Sequence, residues 1–402
     1  MAYQIFDQKT QYLKGYKIRI YPTESQANTI NKYIDLGIAI YNWTIEQEKK
    51  QYELYKNGES TKKFLSYYDM INLFTEFRKD NPWVQEMPYG SGCKSIHRAI
   101  TAFEMFFKYG ANFPKFKNKK HLRKRSYGVR HDTMFFDNNL LRVEGFPRGE
   151  FIYTKYNTGF SAVSSERPKF YDSVITVDNR GRYFISFSVI ENKIYINYNK
   201  NYSNPIGIDL NVRDRFVCSN GYRSGSPNLT RLKRGLSKAE SLVQRDIERR
   251  KKEARTKSLN YSAIEYSNRA TKRINRRRQI EDKINNTVET FIQQETAKII
   301  KMQPTAVVME NLSVTDMDEN RPIAKQIHYS NFNRCAEVMK NKCNQHNIPF
   351  IIAPSNYPSS QLCSNCGARK KIFSQKIYKC SNCGMELDRD LNAAINLVNL
   401  AL

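Results

Sequence analysis

Four cysteines near the C-terminal end constrain this chain more tightly than any other residues. In "CSNCGARKKIFSQKIYKCSNCGMELDRDLNAAINL", residues 363–397, Cys363 and Cys366 form one C-x2-C knuckle, and Cys380 and Cys383 form a second after thirteen residues. Each knuckle aims two thiolates at one point, and two knuckles complete the tetrahedron that zinc prefers. A glycine follows each (Gly367 and Gly384), permitting the tight turn beneath the sulfurs. Two disulfides are the alternative pairing, which a reducing compartment disfavours. With all four positions filled by protein, the metal holds geometry and offers no open site for chemistry. Its binding, worth about 10–16 kcal/mol in zinc-finger peptides, would fold this small segment.

Charge sets the next limit. The 402 residues carry 66 Lys and Arg against 39 Asp and Glu, a formal net charge of +27. That excess argues against an ordinary enzyme of small metabolites and for a polyanion partner, because each cation that neutralises a phosphate releases condensed counterions. The 26 tyrosines and 22 phenylalanines suit base stacking as well as core packing. The opening "MAYQIFDQKTQYLKGYK" lacks the basic head and apolar run of a signal peptide. No apolar run reaches the roughly 18 residues of a membrane span. These features imply a cytosolic chain with reduced cysteines, in which the scattered Cys93, Cys218, Cys335 and Cys343 are structural.

Periodicity divides the chain. "GYKIRIYPTESQ" alternates at Tyr16, Ile18 and Ile20, a strand closed by Pro22, and Thr23 with Gln26 reads as a capping box. Helical spacing then runs to about residue 112, with Ile30, Ile34, Ile38 and Tyr41 on one face. "NFPKFKNKKHLRKRSYG" has no apolar period and seven basic side chains. Alternating runs such as "SVITVDNRGRYFISFSVI" between Met134 and Asn204 predict antiparallel β structure, closed as a small barrel. "NPIGIDLNVRDRFVCSNGYR" predicts two further strands, residues 228–301 long basic helices, and "TAVVMENL" and "IPFIIAPS" short buried strands.

Three acids stand out in that layout. Asp209 lies among Ile206, Ile208 and Leu210, Glu310 ends "AVVME", and Asp390 opens the helical pattern of "DRDLNAAINL". An unpaired carboxylate at a core position costs several kcal/mol and needs a partner. Two strand-end acids and a helix-start acid suit hard divalent cations; two Mg²⁺ about 3.5–4 Å apart could activate water and stabilise the leaving oxygen of a phosphodiester. Any one of the acids could instead pair with an arginine, and Asp388 or Asp390 could simply cap the helix. The basic run reads as a phosphate-contacting loop, with Lys115, Lys117, Lys119, Lys120, Arg123, Lys124, Arg125 and Tyr127 as candidate nucleic-acid contacts; a disordered linker is the alternative. Part of the charge in the basic helices is internal pairing with Glu and Asp at helical spacing. No Walker or Rossmann glycine pattern is present, and the five histidines lack ligand spacing.

Taken in order, "YKIRIYPTESQ", "IYNW", "NFPKFKNKK" with "RSYG", "GRYFISFSV", "IGIDLNVRDRFVCSNG", "VVMENL", "PSSQLCSNCG" and "DRDLNAAINL" resemble the TnpB family. These are transposon-encoded RNA-guided nucleases ancestral to type V CRISPR effectors. The resemblance runs almost end to end and is most specific in the last four motifs. It implies a multidomain α+β architecture: a wedge β-barrel with an inserted helical recognition domain, then an RNase H-like RuvC domain with an inserted zinc ribbon. The corresponding segments are 1–21 (first wedge strand), 22–112 (recognition helices), 113–203 (remaining wedge barrel and basic loop), 204–362 (RuvC), 363–387 (ribbon) and 388–402 (last RuvC motif).

By motif matching, the catalytic trio falls on Asp209, Glu310 and Asp390, with Asp388 as second choice, and the ribbon positions the third acid. The resemblance further implies catalytic Mg²⁺, structural Zn²⁺, a guide RNA from the element's end, double-stranded target DNA cut beside a short motif, and a monomer in a prokaryotic cytosol at the nucleoid. Base pairing would then read sequence while the protein grips backbone and shape. Two departures stand out: Asn211 replaces the glycine common after "IDL", and "HYSNF" (328–332) replaces "DAGW". Neither is expected to touch a carboxylate. A branch of the family without its acids represses transcription, so an RNA-guided repressor or transposition accessory is the alternative; all three acids are retained here.

Overall fold

The protein is described from a computed structural model covering residues 7–118, 125–155, 170–194, 204–261, 264–310, 331–354, 356–370 and 375–400. It divides into two units, one of Leu13–Glu191 and one joining Met1–Tyr12 to Asn192–Leu402. The architecture is mixed α/β.

In the first unit, strand β1 (Gln11–Tyr21) leads into helix α1 (Glu24–Lys56). The helix starts where local chemistry says it should. Thr23 accepts from the Gln26 amide and the Gln26 side chain accepts from the Thr23 amide, so two orphan donors are satisfied reciprocally. Ser66 and Asp69 repeat the device for α2 (Tyr67–Asp80). A short α3 (Pro82–Gln85) and α4 (Tyr89–Tyr109) follow, and Gly110 ends α4 in the left-handed region, where a side chain would be strained. Ile30, Ile34 and Tyr41 of α1 are buried as predicted, whereas Ile38 is half-buried.

Strands β2 (Arg125–Gly128), β3 (Phe135–Asp137), β4 (Leu140–Arg142), β5 (Ile152–Thr154), β6 (Phe170–Val177) and β7 (Tyr183–Asn192) join β1 in one seven-stranded sheet, ordered β2-β6-β7-β1-β5-β4-β3. The predicted barrel is not closed among the described residues: β2 and β3 remain opposite edges. Ile20, Ile34, Phe74, Ile96, Phe136 and Ile185 belong to one core that the helices and the sheet share. The sheet face is therefore covered by helices rather than by its own curvature.

In the second unit, β8 (Pro205–Asp209) runs parallel to β10 (Ala306–Met309), which runs parallel to β11 (Phe350–Ile352); β9 (Val217–Cys218) is antiparallel to β8. Helices α5 (Thr230–Thr256), α6 (Asn268–Lys301), α7 (Phe332–Gln345) and α8 (Arg389–Val398) complete it. Ile206, Ile208, Ile284, Ile292, Val307 and Met339 share its core. The basic helices neutralise part of their own charge, as expected. Asp246 of α5 accepts Arg249 at 2.6 Å and Arg273 of α6 at 2.9 Å, and Arg277 meets Glu281 one turn on. The cysteine segment adds a two-stranded hairpin, β12 (Ile377–Lys379) and β13 (Glu386–Asp388). Cys218, Cys335 and Cys343 are buried. No described helix is long and apolar enough to cross a membrane.

Candidate metal centres of the second unit

Register brings the first two acids together. Val308 lies beside Gly207 and Met309 beside Ile208. Asp209 and Glu310 therefore leave the carboxyl ends of adjacent parallel strands at the same level. Such strand ends are where open α/β sheets hold their ligands. Their side chains are hydrogen-bonded to each other, and the Leu210 amide donates to Glu310 Oε1 at 2.8 Å.

Asp390 is brought in by α8, which packs on the face of the sheet that Asp209 points to. Successive side chains alternate faces along β8, so Gly207 and Asp209 point the same way, toward α8. A Cβ at 207 would stand inside van der Waals contact of the Ala394 carbonyl. Only glycine lets the α8 backbone lie this close, and one turn back along α8 from Ala394 stands Asp390. Its carboxylate accepts Asn211 Nδ2 at 2.9 Å and Arg389 Nη2 at 3.0 Å. The Asn211 contact corrects the sequence expectation, because this residue does touch a carboxylate of the trio. Asp388 has the alternative role foreseen for it: its Oδ1 caps α8 by accepting the amides of Asp390 (3.0 Å) and Leu391 (3.1 Å), and it pairs with Arg223 at 2.7 Å.

Crowding shows in the protonation energetics. Burial, then the charges of Glu310 and Asp390, holds the Asp209 carboxyl well above the usual carboxylate range. Burial, helped by Asp390 and opposed by the Leu210 amide, pushes Glu310 up to about 7. Hard oxygen donors that share protons because their charges repel are the donor set a divalent cation relieves. The convergence is incomplete, however. The oxygens of the trio do not all lie within 4.8 Å of one another, whereas the four cysteine sulfurs do. Asn211 and Arg389 hold the Asp390 oxygens on their own side.

The cysteine centre fits a metal directly. Cys363 and Cys383 sulfurs are 3.6 Å apart, as are Cys366 and Cys380. A tetrahedron with Zn–S of about 2.3 Å requires sulfurs about 3.8 Å apart. The Asn365 amide and the Met385 N–H lower the Cys383 thiol to about 6, easing the deprotonation that metal binding demands.

Sequence reading missed the link between the two centres. Asn392 and Asn396, both fully buried on α8, point into the segment that opens the first knuckle. Asn392 Nδ2 donates to the Leu362 carbonyl at 2.6 Å and its Oδ1 accepts the Ser364 amide at 2.9 Å. Asn396 Nδ2 donates to the Ser359 and Leu362 carbonyls, each at 2.8 Å. The signal was available: two asparagines four residues apart on the apolar side of a short helix need partners. Their partners lie 28 to 37 residues away, beyond the reach of local pattern.

The candidate nucleic-acid contacts belong to the other unit and separate sharply. Lys115 is exposed, Lys117 is half-buried, and Arg125 donates to Asn31 Oδ1 at 2.9 Å. Lys119, Lys120, Arg123 and Lys124 lie outside the described residues. Tyr127 is corrected: it is fully buried and its ring packs edge-on against Tyr33, so it serves the core. On the pleat of β2 it takes the inward face, which the density of neighbouring charges hid.

Residues 332–397 match the family described as Cas12f1-like, TNB domain, and residues 12–57 match one described as a helix-turn-helix domain, although here they form β1 and the single helix α1. A Streptomyces pristinaespiralis protein, provisionally named an RNA-guided DNA endonuclease, is 23% identical across 98% of this chain and 90% of its own length. A TnpB-like protein of Acanthamoeba polyphaga mimivirus is also 23% identical, across 97% of this chain and 74% of its own. Among solved structures, the Cas12f1–sgRNA–target DNA complex shares the fold, with a TM-score of 0.61 at 13% identity over 98% of this chain and 99% of that one.

Proposed function

This chain belongs to the TnpB-like family, and from that premise we propose that it is an RNA-guided DNA endonuclease cutting through one RuvC-type site built on Asp209, Glu310 and Asp390. The observation that carries the reading is the parallel register that sets Asp209 and Glu310 side by side at the strand ends. Asp209 and Glu310, with Asp390, would hold divalent cations, Mg²⁺ in the cell. Cations bound there supply activation of a water and stabilisation of the leaving oxygen of a phosphodiester.

The protein's own groups do the rest. The Leu210 amide aims Glu310, and Asn211 and Arg389 hold Asp390 in one orientation. Burial raises the cost of leaving these charges unpaired and so strengthens their demand for a cation. Structural zinc in the four cysteines, together with Asn392 and Asn396, keeps α8 in register with the ribbon. The charge of +27 grips guide RNA and target DNA through their backbones.

The test is cleavage of a matched plasmid by protein, guide RNA and Mg²⁺, with Asp209→Ala and Glu310→Ala alongside. Each variant should bind guide and target as wild type does while cleavage falls by at least about 10³-fold, the scale of losing electrostatic support for the transition state. Unchanged cleavage in either variant refutes the site. Guide-dependent binding with an intact plasmid under every divalent metal refutes the nuclease and leaves an RNA-guided binding protein.

A further inference from the structure

A small pocket in the first unit gathers two cations that have no acidic partner among the described residues. It is lined by Gly37 and Tyr41 of α1, Ser95 and Arg98 of α4, Ser126 of β2, and Lys117 of the chain leading into β2. Its volume is about 70 Å³. That equals roughly two waters at about 30 Å³ each, enough for one phosphate group and too little for a base.

The cations are held in place by the fold. Asn42 clamps the backbone of Lys117 on both sides, its Nδ2 donating to the Lys117 carbonyl at 3.0 Å and its Oδ1 accepting the Lys117 amide at 2.8 Å. The Lys117 ammonium lies over the Tyr41 ring, 3.4 Å from its centre. Arg98 makes one long hydrogen bond to the Ser126 carbonyl, at 3.4 Å. Neither cation forms an ion pair with a carboxylate among the described residues. The close passage of α4 against Gly37, where a Cβ would meet Ser95 Oγ at 3.1 Å, brings the serine hydroxyl to the same wall.

Two like charges gathered in a partly desolvated pocket repel each other and need compensation. Burial and the neighbouring Arg98 lower the Lys117 ammonium to about 8, and burial lowers Arg98. A structural role alone would be served by one cation stacked on Tyr41 or by a nearby acid. A preorganised guanidinium, ammonium and hydroxyl around a phosphate-sized space form a complementary set for an oxyanion.

We propose that this pocket binds a single backbone phosphate of nucleic acid, received between Arg98 and Lys117. The identity of the ligand rests on the nucleic-acid reading above; the anion preference rests on the pocket alone. Tyr41 and Asn42, the central residues of the "IYNW" motif, thereby act as positioning residues for Lys117.

The experiment has two arms, neither of which needs cleavage. In the first, the melting temperature of the full chain is measured in sodium phosphate and in sodium chloride of equal ionic strength. Wild type gains several degrees in phosphate, and both Lys117→Gln and Arg98→Gln lose the gain. No gain in wild type, or a gain that survives in both variants, overturns the pocket whatever the protein does to DNA. Should Arg98→Gln fail to fold, the half-exposed Lys117→Gln decides.

In the second arm, anisotropy titrations with a fluorescent single-stranded RNA and with a DNA duplex are repeated from about 50 to 200 mM salt, where phosphate contacts dominate the response. Lys117→Gln lowers affinity about tenfold and the salt slope by about one for whichever polymer supplies the phosphate, as expected for one lost contact. Lys79→Gln, an exposed lysine paired with Glu76 on α2, controls for net charge. If Lys117→Gln and Lys79→Gln behave alike on both polymers, the backbone-phosphate assignment fails.

Discussion

Gly207 offers the sharpest test of how this chain assembles its acids. A methyl group added there meets the Ala394 carbonyl carbon and Leu397 Cβ at 3.1 Å, and the carbonyl oxygen well inside the 3.0 Å that Cβ atoms essentially never breach. The obstacle is helix backbone, so no side-chain rotation relieves it. In Gly207→Ala, α8 must retreat by a distance on the order of 1 Å, a scale of misplacement that costs about 10²-fold in rate when it falls on a catalytic group. Overpacking itself costs about 1–3 kcal/mol. At about 2–4 °C per kcal/mol for units of this size, melting should fall by roughly 2–12 °C and leave the protein folded at 25 °C.

The expected outcome is a cleavage rate down about 10²-fold, with guide and target binding unchanged. Single-turnover cleavage with saturating Mg²⁺, read beside anisotropy binding and a thermal melt, separates the effects. A Gly207→Ala protein that melts like wild type and cleaves within about twofold of it would refute the claim that the helix-on-strand approach positions Asp390. A loss of binding equal to the loss of cleavage would refute it too, because the damage would then be global.

Three further outcomes follow from the same geometry. Asn211→Ala removes a hydrogen bond to the Asp390 carboxylate, worth about 1.5–3 kcal/mol to a charged acceptor, and two that Asn211 Oδ1 accepts from the Arg213 and Asp214 amides, so single-turnover cleavage should drop by about 10- to 100-fold and the melting temperature should fall with it. Cys380→Ser should release the bound metal, read with a chromogenic chelator against about one zinc per wild-type chain, and should abolish cleavage because α8 loses its anchored neighbour. Glu48, buried in α1 and accepting the Leu65 amide, titrates near 7 because burial outweighs that hydrogen bond. Its folded value lies above its unfolded one, so its contribution is fully present below about pH 4.5 and is lost as pH rises through 7. Thermal melts should therefore show Glu48→Gln closing a gap on the order of 2–3 kcal/mol between pH 5 and pH 8.

Local signals translated into structure with little loss. The Thr23–Gln26 capping box, the left-handed Gly110, Gly367 and Gly384, and the ion pairs one turn apart on α5 and α6 involve residues within about four positions of each other. Their geometry follows from covalent reach and helical pitch. The cysteine pairs belong to the same class, since thirteen intervening residues close a loop at small entropic cost. Where only tertiary packing could decide, local pattern misled. Dense basic residues around Tyr127 suggested a wet surface, yet the β2 pleat turns that ring inward. Alternating runs suggested a closed barrel, but whether edge strands pair depends on curvature and on which face the helices cover.

Taken alone, then, the order of residues established the chemistry available: a four-thiolate knot, three separated acids at apolar strand ends or a helix start, and a large positive charge. The folded chain decided which of these meet. Asp209 and Glu310 are 101 residues apart and touch because β8 and β10 pair in one register. Asp390 stands near them because position 207 has no side chain, and Lys117 shares a pocket with Arg98 because Asn42 holds its backbone. Such long-range contacts depend on which apolar faces bury each other, and no short window of sequence contains both halves of that choice.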